Sequence, residues 1–258
     1  MSSRPSDYQE TTADFDLLDL HQLNPERYPY LLQSKSIGPQ GRFDILFAFP
    51  GESIEFDPKT PGYFLDQLDR QFKQEALTDR LPDPFPFTGG WFLYLGYELA
   101  EAIEPSLSLP DYKGRLPTAF ATRIPAAIVH DHTSGSRVIV SEDKQLFAKI
   151  KNDIVKCKPN RKSIPLGIGR LQEEPGEKYT SAVEKIIDYI VEGDVFQVNL
   201  SRQWSATIDK QLDNAALYKQ LRAANPGPFN GMVTWKDQAL FSSSPERLVS
   251  MQGDAVET

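Results

Sequence analysis

TGGWFLYLGYELA, residues 88–100, enters on Gly89-Gly90 and then runs through Trp91, Phe92, Leu93, Tyr94 and Leu95 without a charge. Such a run leaves no polar face for water. It reads as a strand buried on both faces, in the interior of a sheet.

A sheet needs partners, and the flanking segments supply them. Phe43, Ile45, Phe47 and Phe49 alternate with Asp44, Leu46 and Ala48, which predicts a strand with one strongly buried face, turned back by Pro50-Gly51. Tyr30 to Ser34 is extended, and Asn24-Pro25 ahead of it reads as a helix start. Ala126–His132 and Ser136–Ser141, joined by Thr133-Ser134-Gly135, predict a hairpin. Helical spacing appears at Phe64, Leu65, Leu68, Phe72 and Ala76, and again at Leu146, Phe147, Ile150 and Ile154.

Residues 1–14 are polar and aperiodic and are expected to form a flexible leader, with a first domain over 15–157. Lys158 to Gly176 is rich in proline and glycine and reads as a linker. Beyond it, Tyr179, Val183, Ile186 and Ile190 mark a helix that Gly193 can close, and Val195–Trp204 is expected to be a strand. A helix near Ala215–Ala224 and three extended stretches complete a second domain over 177–258. This domain is expected to be incomplete, because AVET, ending at Thr258, reads as the beginning of a further strand. Strands, hairpins and amphipathic helices in this order indicate an α+β class.

Composition narrows the function. The chain has 258 residues, a formal net charge of −8 and a single cysteine, Cys157. There is no basic field for nucleic acid, no internal disulfide, no signal peptide and no apolar run that could span a bilayer, so a reducing, cytoplasmic setting is expected. Walker, nucleophile-elbow, HExxH and CxxC signatures are absent. His130 and His132, two apart on a strand, share a face. With only Asp131 beside them, pointing the other way, they read as a rim pair rather than a metal centre.

On the expected strand after Gly193, Gln197, Asn199, Ser201 and Gln203 would share one uncharged polar face. That face suits either a cavity that hydrogen-bonds a polar ligand or an ordinary solvated surface. In SSSPERLVS, residues 242–250, the serines read as turn caps and Glu246-Arg247 as a surface pair.

YIVEGDVFQVNLSRQW (189–204), NPGPF (225–229) and SSSPERLVS resemble, in this order, the chorismate-binding domain of component I of aminodeoxychorismate and anthranilate synthases. YPYLLQS (28–34), GRFDI (41–45) and TGGWFLYLGYELA resemble the N-terminal domain of the same family. The resemblance implies a two-layer sandwich of large antiparallel sheets with helices outside. It also implies amination of chorismate with ammonia from a glutamine amidotransferase subunit. Gln197 matches the position where water-adding relatives carry a general-base lysine; a neutral amide cannot deprotonate water, which favours nitrogen as nucleophile. Asn199 and Ser201 follow as candidate substrate contacts.

Asn199 and Glu246-Arg247 look more like aminodeoxychorismate synthase, on the route to folate. Anthranilate synthase, or a non-catalytic module binding tryptophan or the glutaminase, are the alternatives. By motif match, Leu32, Ser34, Gln40, Gly41, Arg42, Pro226, Pro228 and Phe229 would line the family's tryptophan pocket, with Gln33 where tryptophan-inhibited relatives have glutamate. The resemblance places the remaining catalytic residues beyond Thr258: a PIKGT-like motif, the acid/base groups and the Mg²⁺-binding glutamates. No metal ligand is therefore assigned within these residues, and the 258-residue chain alone is expected to be inactive.

Overall fold

The computed structural model describes residues 7–13, 15–35, 41–75, 85–110, 114–157, 168–208, 213–252 and 255–257. In chain order the elements are β1 (Asp7–Thr11), α1 (Leu17–Leu23), β2 (Tyr30–Gln33), β3 (Phe43–Ala48), β4 (Ser53–Glu55), α2 (Pro61–Glu75) and β5 (Gly90–Leu95). A 3₁₀ turn leads into α3 (Ala100–Ile103), followed by β6 (Ala119–Ile124), β7 (Ala126–Asp131), β8 (Arg137–Ser141) and α4 (Lys144–Lys156). Then come β9 (Ile168–Glu173), α5 (Gly176–Glu192), β10 (Trp204–Ile208), α6 (Asn214–Ala224), β11 (Phe229–Trp235), β12 (Gln238–Ser244), β13 (Ser250–Gln252) and β14 (Ala255–Glu257).

The chain divides into two compact units, residues 1–162 with 218–258, and residues 163–217. In the first, seven strands form one antiparallel sheet in the order β1-β8-β7-β3-β2-β11-β12, and three form a second in the order β4-β6-β5. Their facing surfaces meet in an aromatic core. Tyr30 stacks on Phe92 with centroids 4.1 Å apart, and Phe120 stacks on Trp235 at 3.8 Å, with Phe47 and Val233 alongside. Because β11 pairs with β2, residues 229–244 belong to the same sheet as the N-terminal strands. The division drawn from sequence, 15–157 against 177–258, thus passes through a continuous hydrogen-bonded sheet.

Four further expectations change. Residues 7–11, placed in the leader, form β1 and pair with β8. Asn24 ends α1 rather than opening a helix; Asp16 is the N-cap, accepting from Leu18 N at 3.1 Å. The run 88–100 is not interior. β5 lies at the edge of its sheet with Leu93 and Leu95 exposed, because β6, rich in alanine, takes the central place. The fully buried face of β3 is Asp44, Leu46 and Ala48, whereas Phe43 and Ile45 on the face expected inside are half-buried and only Phe47 there is buried.

The strand expected at AVET is present as β14, and among the described residues it pairs with β13 as a two-stranded hairpin. Thr258, from which the missing catalytic residues were expected to continue, lies outside the described residues, as do Gln40 and Ala76. The second unit holds β9 and β10 as an antiparallel pair with α5 between them in sequence. The latter part of the expected linker is therefore strand. Gly193 closes α5 at φ 85°, in the left-handed region where a Cβ is unfavourable.

Candidate functional site

The ends of β2 and β3 meet the turn that leads into β11. Ser34 Oγ donates to Pro228 O at 2.8 Å and lies 3.2 Å from Phe43 O, and Lys35 N donates to Gly227 O at 2.9 Å. Leu32 pairs in register with Gly231. Gly227 is required by close approach: a Cβ there would sit 2.9 Å from both Ser244 O and Asn230 Oδ1. Leu32, Ser34, Pro228 and Phe229 are thus brought to one junction. Pro226 precedes it in the turn and is exposed, whereas Gly41 is buried. Arg42 is engaged elsewhere, giving a two-pronged pair with Asp131 (3.1 and 2.8 Å).

Behind the junction runs a buried polar chain that the sequence did not announce. Arg222 of α6, 9% exposed, pairs with Asp16 and donates to Gln33 Oε1 at 2.6 Å. Gln33 Nε2 donates to Asp44 Oδ2 at 2.8 Å, and Asp44 Oδ1 accepts from Ser34 N at 2.8 Å. His132 Nε2 lies 2.8 Å from Asp44 Oδ1, and a carboxylate can only accept there. Lys35 Nζ stands 3.3 Å from Asp44 Oδ2. Burial opposes ionisation of Asp16, yet the Arg222 guanidinium holds its carboxyl below the ordinary range. A buried carboxylate such as Asp44 is tolerable only when its oxygens are met by donors in this way.

The chain explains Gln33. Its amide accepts from Arg222 with one atom and donates to Asp44 with the other, which a glutamate could not do. Asn230, 2% exposed, uses Oδ1 to accept from Gly227 N at 3.2 Å, while its Nδ2 has no partner among the described residues. Asn230 follows the expected pocket residues directly. Only its position, in a strand that also carries Phe229, Met232, Val233 and Trp235, could have marked it.

Gln197, Asn199 and Ser201 stand differently from the expectation. Residues 195–203 form no strand, so no common face is defined, and all three side chains are exposed. The ladder with β9 starts only at Trp204 opposite Glu173; before it, Arg202 folds back to donate to Glu174 O at 2.8 Å. The apolar Phe196 and Val198 among them are also open, Phe196 wholly so. In SSSPERLVS the capping reading holds: Glu246 N lies 3.3 Å from Ser244 Oγ. Arg247 pairs with Glu257 rather than with Glu246.

His130 lies directly opposite Asp44 in the β3–β7 register, and its ring is 4.5 Å from that of His132. Burial, then the charge of His132, hold the His130 imidazole below its ordinary pKa. From sequence, only Asp131 stands beside these histidines. The acid that reaches them, Asp44, is 86 residues before His130 in the chain. Among the described residues this is the one grouping of three metal-capable side chains. Magnesium prefers oxygen donors in an octahedral set, so a site with two imidazoles does not fit it.

No helix among the described residues is long and apolar enough to cross a membrane. A family model described as chorismate binding enzyme matches residues 28–258. Anthranilate synthase component 1 of Thermus thermophilus is 31% identical over 89% of this chain and 52% of that protein. Aminodeoxychorismate synthase component 1 of Bacillus subtilis is 32% identical over 67% of this chain and 39% of that protein. The crystal structure of anthranilate synthase component I from Streptococcus pneumoniae superposes with a TM-score of 0.64 at 22% identity, over 86% of this chain and 54% of that one. This likeness establishes the fold, an α+β arrangement of large antiparallel sheets. The chain spans about half the length of the curated relatives it matches.

Proposed function

We propose, from the premise that this chain belongs to the chorismate-binding enzyme family, that it is part of a component I that aminates chorismate. The ammonia would come from a glutamine amidotransferase partner in the cytoplasm. The observation that carries this reading is the family match over residues 28–258, joined to an amide, Gln197, where water-adding relatives carry lysine. Gln197 would leave the incoming nitrogen as nucleophile, having no basic lone pair with which to activate water. Asn199 and Ser201, both exposed, would hydrogen-bond the substrate. The family's magnesium, held by glutamates beyond Thr258, would stabilise charge on the substrate.

Anthranilate is the product we favour, since the Thermus relative, matched over 89% of this chain, carries that name. The motif reading that preferred aminodeoxychorismate rests on Asn199 and Glu246-Arg247 and on the Bacillus relative, and stands as the second reading. We further propose the Ser34–Pro228 junction, with Leu32, Phe229 and the Nδ2 of Asn230, as an amino-acid pocket that takes tryptophan.

The test is product analysis of the full-length gene product with chorismate, ammonium and Mg²⁺. Anthranilate fluorescence supports the first reading. Conversion to para-aminobenzoate only after a lyase is added supports the second, and unchanged chorismate rejects both.

A further inference from the structure

We infer that Asp44, His130 and His132 form a binding site for a divalent transition-metal ion of the zinc or cobalt class. The fold builds this site from both strands of one pair. Asp44 and His130 are opposite partners in the β3–β7 ladder, so their side chains leave the same face of the sheet. His132 follows two residues on, and its backbone N donates to Arg42 O at 2.9 Å, which extends the ladder past the end of β7 and keeps both imidazoles on one side. Each residue offers one ligand atom, and these atoms all lie within 4.8 Å of one another. Donor atoms this close would converge on one ion at the about 2.0–2.2 Å that zinc requires, His132 being exposed and so having room to turn.

The donor set selects the ion. Two imidazoles and one carboxylate suit zinc, cobalt or nickel and leave a coordination position open. The carboxylate is already oriented from behind by Ser34 N and Gln33 Nε2, each at 2.8 Å, the outer-sphere support that metal-binding carboxylates use. Two cations oppose the ion: Lys35 Nζ, 3.3 Å from Asp44 Oδ2, competes for the same charge, and Arg137 stands opposite His130 in the β7–β8 register. The Lys35 side chain is 30% exposed and can swing into solvent. The site is therefore a moderate binder whose affinity Lys35 restrains. It is independent of the chorismate reading, since none of its residues belongs to the segment proposed to meet substrate.

The experiment titrates Co²⁺ into the purified 258-residue chain while recording visible absorption, with Zn²⁺ titrated calorimetrically in parallel. One equivalent should bind and raise ligand-field bands. His130→Ala and His132→Ala should each weaken binding by more than the about 10–100-fold that loss of an outer-sphere partner costs. Lys35→Met should tighten it several-fold, a gain that no loss of folding can mimic. Cys157→Ser should leave the spectrum unchanged, separating this site from adventitious thiol binding. Absence of binding, or binding indifferent to both histidine variants and to Lys35→Met, overturns the assignment.

Discussion

At the scale of single residues, side-chain identity is dictated by neighbours distant in sequence. Gln33→Glu sets a second carboxylate against Asp44, so the variant should lose about 1–3 kcal/mol. Much of that loss should return in Gln33→Glu/Asp44→Asn, a coupling that denaturant unfolding of the four-member cycle measures. Asp131 shows the same logic at the surface. The Arg42 guanidinium, foremost, holds its carboxyl at about 2, below the ordinary value. A carboxyl so depressed contributes stability above its unfolded pKa of about 3.9, and the contribution is lost as pH falls through about 2. Asp131→Asn should therefore be less stable than the parent at pH 7, and the difference should vanish as the pH is taken below about 2. Burial, with Asp19, Asp16 and Asp153 nearby, raises the Cys157 thiol to about 11. Alkylation at about pH 8 should be slow and should accelerate as pH approaches 11.

At the scale of elements, local chemistry was legible and partnership was not. The β7–β8 hairpin follows from its turn residues, α4 from its helical spacing, and the end of α5 from Gly193. β6 carried no such signal: AFATRI has neither strict alternation nor an apolar run, yet its small side chains let it pack between β4 and β5. The most apolar strand, β5, therefore lies at an edge of the β4-β6-β5 sheet rather than inside it. The 195–203 segment alternates well and still forms no strand, because a ladder needs a partner and none of the described residues supplies one. Gly227 belongs to this scale. Gly227→Ala drives a methyl against the Ser244 carbonyl and should cost about 1–3 kcal/mol, visible in thermal unfolding. Weakened tryptophan affinity in a calorimetric titration should accompany it if the junction is the pocket.

At the scale of the molecule, the aromatic core makes residues 229–244 part of the N-terminal layers. Phe120→Ala removes a fully buried ring that stacks on Trp235 and Tyr94 and should cost about 3–5 kcal/mol. Amide exchange should then accelerate in β2 and β11 together, since both strands line the same core. The family and its sandwich were legible in the ordered motifs. The Asp44 grouping was not, because Asp44 and His132, 88 residues apart, meet only once β3 and β7 pair. The central claim, that nitrogen rather than water attacks chorismate, is tested most directly by isotope. The full-length gene product is supplied with chorismate, Mg²⁺ and ¹⁵N-ammonium in ¹⁸O-water, and the product is weighed by mass spectrometry. An aminated product carrying one ¹⁵N and no new ¹⁸O is the predicted result; a hydroxylated product carrying ¹⁸O would contradict the account.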